Sequence, residues 1–205
     1  DSAHELNTPI SVLMTSVSML KNGKNPEKMM KYILSSSKQI SQIYNDIHFS
    51  AFNEINEDVF EEFDLKDLIS ESVDYFNDIS ITKNIQINSN LFACCIKMDR
   101  TKTQKLVNNL ISNAIKYSYK DSIIEVTLKD NILSVKDFGR GISEEEQKEI
   151  FKRYKRGNNN EGGFGIGLDI VKRICNEYNL ILNLKSQINK ETIFSIDFSS
   201  IVNKK

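Results

Sequence analysis

The stretch KLVNNLISNAIK, Lys105 to Lys116, decides how the chain is organised. Leu106, Leu110, Ile111 and Ala114 fall at i, i+4, i+5 and i+8, the spacing of a helix that buries one stripe. Asn109 and Asn113 lie four apart and so share a face. Carboxamides on a packed helix are costly unless something occupies them. Their carbonyl oxygens suit a hard cation such as Mg²⁺, which takes its remaining ligands from water and phosphate. Alone, an NxxxN pair reads first as a solvated surface; the motifs farther along the chain make it a candidate site.

Upstream, residues 2–22 place Leu6, Ile10, Leu13, Val17 and Leu20 at intervals of 4, 3, 4 and 3, a heptad seam on a helix. The turn NGKNP (Asn22–Pro26) stops it, with Gly23 at the C′ position and Pro26 near the next start. A second helix over 27–52 aligns Met30, Ser37, Tyr44 and Ala51 in one column and Ile33, Ile40 and Ile47 in another. One hairpin cannot hide such a seam. Two hairpins in a four-helix bundle can, which predicts a homodimer.

His4 precedes Leu6 by two residues, roughly 200° around the helix, and is expected to point to solvent. Pro9 cannot donate to the Glu5 carbonyl, so the helix is expected to kink or loosen beside His4. A neutral imidazole is a nucleophile when a neighbouring carboxylate takes its proton. Glu5 is placed for that role, and Thr8, one turn on, can orient a water. His48 reads as structural or solvent-facing.

Downstream, the acidic segment 51–62 reads as a linker. Asp64 then caps a helix whose inner face holds Leu65, Leu68, Ile69, Val73 and Phe76. Residues 85–87 and 93–98 read as strands, and Asp99 caps the central helix. Residues 123–129 and 132–137 form a hairpin about Lys129-Asp130-Asn131. A helix over 165–178 and strands at 181–186 and 192–198 complete the chain. Helices on one side of a mixed, largely antiparallel sheet make an α/β two-layer sandwich, so the fold class is α+β.

Two glycine clusters carry chemistry. In DFGRG, Asp137 ends a strand and can accept from an exocyclic amine such as that of adenine, while Gly139 and Gly141 allow backbone to approach a planar ring. In GGFGIGL, Gly162 to Leu168, glycines open a helix whose free N–H groups and dipole suit phosphates. No strand leads into these glycines and no GKS or GKT follows, so dinucleotide and P-loop readings fail. Between the clusters, Lys152, Arg153, Lys155 and Arg156 crowd around Phe151 and Tyr154, where cations can meet a γ-phosphate.

Composition excludes more than it assigns. With 205 residues, 40% apolar, 27% charged and a net charge of −1, nothing argues for nucleic acid or a membrane surface. No apolar run reaches bilayer length, and no signal peptide is present. The first residue is Asp1, not methionine, so the sequence reads as a piece of something longer. Cys94, Cys95 and Cys175 lack paired metal-ligand spacing and read as reduced thiols.

Together these residues resemble a bacterial two-component sensor histidine kinase over nearly the whole chain. His4-Glu5-Leu6-Asn7-Thr8-Pro9 resembles the H box, Asn109–Ser118 the N box, and Asp137–Gly141 the first glycine box. Phe151 with Tyr154 resembles the F box, and Gly163–Leu168 the second glycine box, all in the family's order. The resemblance implies a dimerisation and phosphotransfer hairpin at 1–54, a linker at 55–62 and a Bergerat-type catalytic ATP-binding domain at 63–205.

It further implies that His4 is phosphorylated from ATP, with Glu5 as general base and Thr8 aiding phosphatase activity. Asn113 would hold Mg²⁺, Asn109 support the phosphates, Lys116 contact phosphate and Tyr117 line the adenine pocket beside Asp137, Gly139 and Gly141. Gly163, Gly165, Gly167 and Leu168 would shape the phosphate end, and Arg156 would reach the phosphates. The implied partners are a response regulator whose aspartate receives the phosphoryl group and a second copy of the chain. The implied location is the cytoplasmic portion of a membrane-bound bacterial sensor, any membrane segment lying outside this chain.

Asn7 stands where the family most often has arginine, which bears on the kinase–phosphatase balance. Related ATPases carry a glutamate at the position of Asn109; an amide cannot take a proton, so direct ATP hydrolysis is disfavoured. The alternative is a degenerate kinase serving as an ATP-binding scaffold, against which the near-intact motifs argue.

Overall fold

The structure, a computed structural model, describes residues 2–52, 58–148, 150 and 167–202, with side chains in the first range described from 6 to 49. Helix α1 (Ser2–Lys21) runs unbroken through Pro9. It ends in a Schellman motif: Lys24 N–H donates to Met19 O and Gly23 N–H to Leu20 O, both at 3.0 Å. Gly23 takes φ 69° there, in open space, so the left-handed turn alone calls for glycine. Pro26 opens α2 (Pro26–Phe52), and Asn25 Oδ1 accepts from Lys28 N–H.

Within the hairpin the buried positions are Pro9 and Ser16 on α1 and Met29, Ser35, Ser36, Gln42 and Phe49 on α2. The predicted seam is turned outward: Leu6, Leu13, Val17 and Leu20 are half-buried, and Ile10 is exposed. Met14 (65% exposed), Met30 (56%), Leu34 and Tyr44 (64%) extend this apolar surface.

The acidic segment expected to be linker to residue 62 becomes strand from Phe60. Strand β1 (Phe60–Asp64) pairs antiparallel with β3 (Cys95–Asp99) in a two-stranded ribbon. Glu61 and Glu62 lie exposed on it, which is why its composition resembled a loop. Asp64 caps α3 (Leu65–Ser80), accepting from Lys66 N–H at 3.0 Å. All five expected inner-face residues of α3 are buried.

Five further strands form one sheet in the order β2 (Gln86–Leu91), β4 (Ile123–Lys129), β5 (Ile132–Asp137), β7 (Glu191–Asp197), β6 (Ile181–Gln187). Only β2 with β4 is parallel. The β4–β5 turn has Asp130 at φ 51° and Asn131 at φ 63°, the left-handed pair a tight hairpin needs. Ile124, Val126, Leu128, Leu133, Val135, Phe194 and Ile196 alternate onto one face and meet α3, α4 (Arg100–Tyr117) and α6 (Gly167–Glu177) in a shared core. The short α5 (Glu144–Gln147) begins in a capping box between Ser143 and Glu146.

Two polar clusters join these parts. Lys102 on α4 reaches Asp58 and Glu177, and Tyr178 donates to Asp58 Oδ2 at 2.6 Å. Helix α2 docks on the sandwich: Ser35 Oγ donates to Ile79 O at 3.2 Å, Lys38 pairs with Asp78, and Asp46 pairs with Lys105 at 2.9 Å.

Candidate active site

Helix α4 brings the two asparagines to its contact with α6. Asn109 is 3% exposed, and its Nδ2 donates to the Lys105 carbonyl one turn back, at 2.9 Å. Its Oδ1 faces Gly167, where an added Cβ would stand 2.5 Å from that oxygen and 3.8 Å from Asn113 Nδ2. Glycine at 167 therefore lets the start of α6 close onto the amide pair. Asn113 Nδ2 is buried and has no hydrogen-bond partner among the described residues. A buried amide left so costs about 1–3 kcal/mol. The amide can offer N–H to phosphate oxygen or, rotated, a carbonyl to a cation. The residues thus fit a phosphate-bearing ligand with a hard metal ion.

At the C-terminal end of α4 lies the second half of the site. Asp137, the last residue of β5, is 4% exposed and accepts at Oδ1 from Gly139 N–H at 3.0 Å. Burial pushes its carboxyl up to about 6, opposed by that backbone hydrogen bond. Such a carboxylate gains from a donor at its second oxygen, which a base amine supplies.

The glycines after Asp137 stand against the chain's own backbone. A Cβ on Gly139 would lie 2.0 Å from the Tyr117 carbonyl oxygen, and one on Gly141 2.2 Å from that of Gln187. The close approach is to the chain's own backbone, which by itself requires glycine at both positions. Gly141 also sits at φ 70°. The Tyr117 ring is flanked by cations, with Arg140 Cζ at 4.7 Å and Lys116 Nζ at 5.3 Å from its centroid.

One residue beside Asp137 escaped the sequence reading. Thr192 on β7 is the cross-strand neighbour of Asp137, buried, with its hydroxyl 2.9 Å from Ser186 Oγ. A threonine opening a strand carries no signal of its own; only the β5–β7 register reveals it.

On α1, His4 and Glu5 lie within the helix, but their side chains fall outside the described residues; Thr8 and Asn7 are exposed. Phe151, Lys152, Arg153, Tyr154, Lys155, Arg156, Gly163 and Gly165 also lie outside the described residues. Leu168 packs half-buried against the core. His48 is exposed, its ring 6.1 Å from that of Tyr44.

The family model of histidine kinase-, DNA gyrase B- and HSP90-like ATPases matches residues 98–200, half of the chain, and that of the His Kinase A phospho-acceptor domain matches residues 1–54. The chain belongs to the sensor histidine kinase family. Among its relatives, the Synechocystis sensor histidine kinase RppB is 28% identical over 214 residues, covering 96% of this chain and 47% of RppB. The Staphylococcus aureus signal transduction histidine-protein kinase ArlS is 30% identical over 225 residues, covering 97% of this chain and 47% of ArlS. The solved structure of the Acinetobacter baumannii histidine kinase AdeS superposes with a TM-score of 0.59 at 25% identity, covering 94% of this chain and 95% of that one.

This histidine kinase chain spans about half the length of the curated relatives it matches. Its sandwich is an ATP-binding domain by family. No helix among the described residues is long and apolar enough to cross a membrane.

Proposed function

We propose that this histidine kinase phosphorylates itself on His4 from ATP and passes the phosphoryl group to an aspartate of a response regulator. The observation that carries the reading is the unpartnered Asn113 amide beside Gly167, on the same helix whose far end meets Asp137. Asp137 accepts from the adenine amine, and Tyr117 lines the base pocket with the 139–141 turn. Asn109, Asn113 and Lys116 hold the phosphate end, joined by Gly163, Gly165, Gly167 and Arg156. Asn113 would hold Mg²⁺, which would supply charge neutralisation for the transferring phosphoryl group.

An imidazole nitrogen of His4 attacks the γ-phosphorus: a P–N bond forms, the bond to the bridging oxygen breaks, and ADP leaves. The imidazole proton passes to Glu5. Thr8 orients water for the reverse, phosphatase, reaction. Asn109 in place of a carboxylate supports this division, since an amide cannot activate water against ATP directly.

Two hairpins pair through Ile10, Met14, Met30, Leu34 and Tyr44, whose exposure is support for a homodimer. The phosphotransfer hairpin takes 1–54, the catalytic domain begins at β1 with Phe60, and the chain works on the cytoplasmic side of a membrane-bound sensor. Incubation with γ-labelled ATP and Mg²⁺ tests the reading. Label stable in alkali, lost in acid and absent from Asn113→Ala supports it; no label, or acid-stable label, overturns it.

A further inference from the structure

Lys83 lies outside every motif, yet it closes the end of the helix that spans the nucleotide site. In the 3₁₀ turn Ile81–Lys83, its Nζ donates to Ile115 O at 3.0 Å, Ser118 O at 3.2 Å and Lys116 O. These are carbonyls that the end of α4 leaves without helical partners, and a cation there also opposes the negative end of the helix dipole. The turn bearing Lys83 is itself tethered: its carbonyl accepts from Asp121 N–H at 3.1 Å, and Asn84 Nδ2 donates to Asp121 Oδ1 at 2.7 Å.

Tyr117, between the residues Lys83 holds, turns its carbonyl the other way. That oxygen accepts from Arg140 N–H at 3.4 Å and is the surface on which Gly139 packs. Gly139 in turn donates to Asp137 Oδ1. Contacts thus run without a gap from the Lys83 ammonium, through the last turn of α4, to the buried carboxylate.

We propose that Lys83 is a positioning residue for the base end of the nucleotide site, holding the Tyr117 carbonyl so that Asp137 and the 139–141 turn stay in register with a purine. This rests on the nucleotide-binding reading above. Asn109 and Asn113 lie farther back along α4, and of the phosphate-end residues only Lys116 has a carbonyl that Lys83 holds, so removing the ammonium disturbs the base end more than the phosphate end.

Calorimetric titration of ADP, GDP and inorganic tripolyphosphate, each with Mg²⁺, into the wild-type chain, K83M and K83R tests this. K83M is expected to weaken ADP about tenfold, the scale of one lost charged hydrogen bond. It should narrow the preference for ADP over GDP and weaken tripolyphosphate clearly less than ADP, and K83R should recover most of the loss. Should K83M fail to fold, K83Q carries the same comparison. Wild-type ADP affinity and preference in the variant, or equal losses for ADP and tripolyphosphate, overturn the role of Lys83. Failure of the wild-type chain to bind ADP overturns instead the reading on which it rests.

Discussion

Replacing Asp137 by asparagine should stabilise the protein while removing adenine recognition. The carboxyl is buried at the end of β5, and its rise from the ordinary 3.8 to about 6 amounts to about 3 kcal/mol at about 1.4 kcal/mol per pH unit. Between these two values the folded state binds more protons at this group than the unfolded state. Stability from the neutral carboxyl is therefore complete below 3.8, falls as pH rises through this window, and is lost above about 6. Asparagine has the same shape, never ionises, and keeps an acceptor for Gly139 N–H, though a weaker one. Allowing for that weaker bond, D137N should gain about 2 kcal/mol at pH 7, or about 4–8 °C in melting temperature. The assay is thermal unfolding of both proteins from pH 5 to pH 8, with ADP titrations alongside. The gap should widen from pH 5 to pH 7 and then level off, while ADP affinity falls. A variant that melts below wild type at pH 7, or a gap indifferent to pH, would refute the reasoning.

Other outcomes follow from the same contacts. Gly139→Ala puts a methyl group 2.0 Å from the Tyr117 carbonyl oxygen, so calorimetry should find ADP binding weakened at least about tenfold, since the backbone must move. Lys102→Met leaves Asp58 without its ammonium partner, costing about 2–4 kcal/mol in chemical denaturation after allowance for the exposed Glu177; adding D58N should recover part of it. Met14→Glu with Met30→Glu, two exposed positions on the hairpin, should give monomers in sedimentation while the isolated chain stays folded.

Helical elements were legible because burial imposes a period on sequence. The inner face of α3, the stripe of α4 and the caps at Asp64 and Asp99 could be read directly, since one set of side chains meets one core. Strand β1 could not, because a two-stranded ribbon leaves Glu61 and Glu62 in water and mimics a loop. Strand β2 runs past the apolar residues 85–87 without a sequence signal, because Asn88, Ser89 and Asn90 lie on the sheet edge, where burial does not enforce alternation.

The site divided in the same way. Asp137 stands out because it ends the buried alternation of Leu133 and Val135, whereas Asn109 and Asn113 read as a solvated pair until the downstream motifs are set beside them. The packing of Gly139 on Tyr117 and of Gly141 on Gln187 is not legible, since a glycine's letter does not say which backbone comes near. Thr192 and Lys83 were invisible, because their roles exist only through a cross-strand register and a helix end that sequence does not bring together.

The central claim is that the nucleotide site on α4 serves the imidazole at the start of α1. Mapping the phosphorylated residue by mass spectrometry, after incubation with ATP and Mg²⁺ at neutral to alkaline pH, tests it most directly. The phosphoryl group should sit on His4, and the peptide should be unmodified in Asn113→Ala. A phosphoryl group on serine, threonine or another site, or ATP turned over to inorganic phosphate with His4 never modified, would contradict the account.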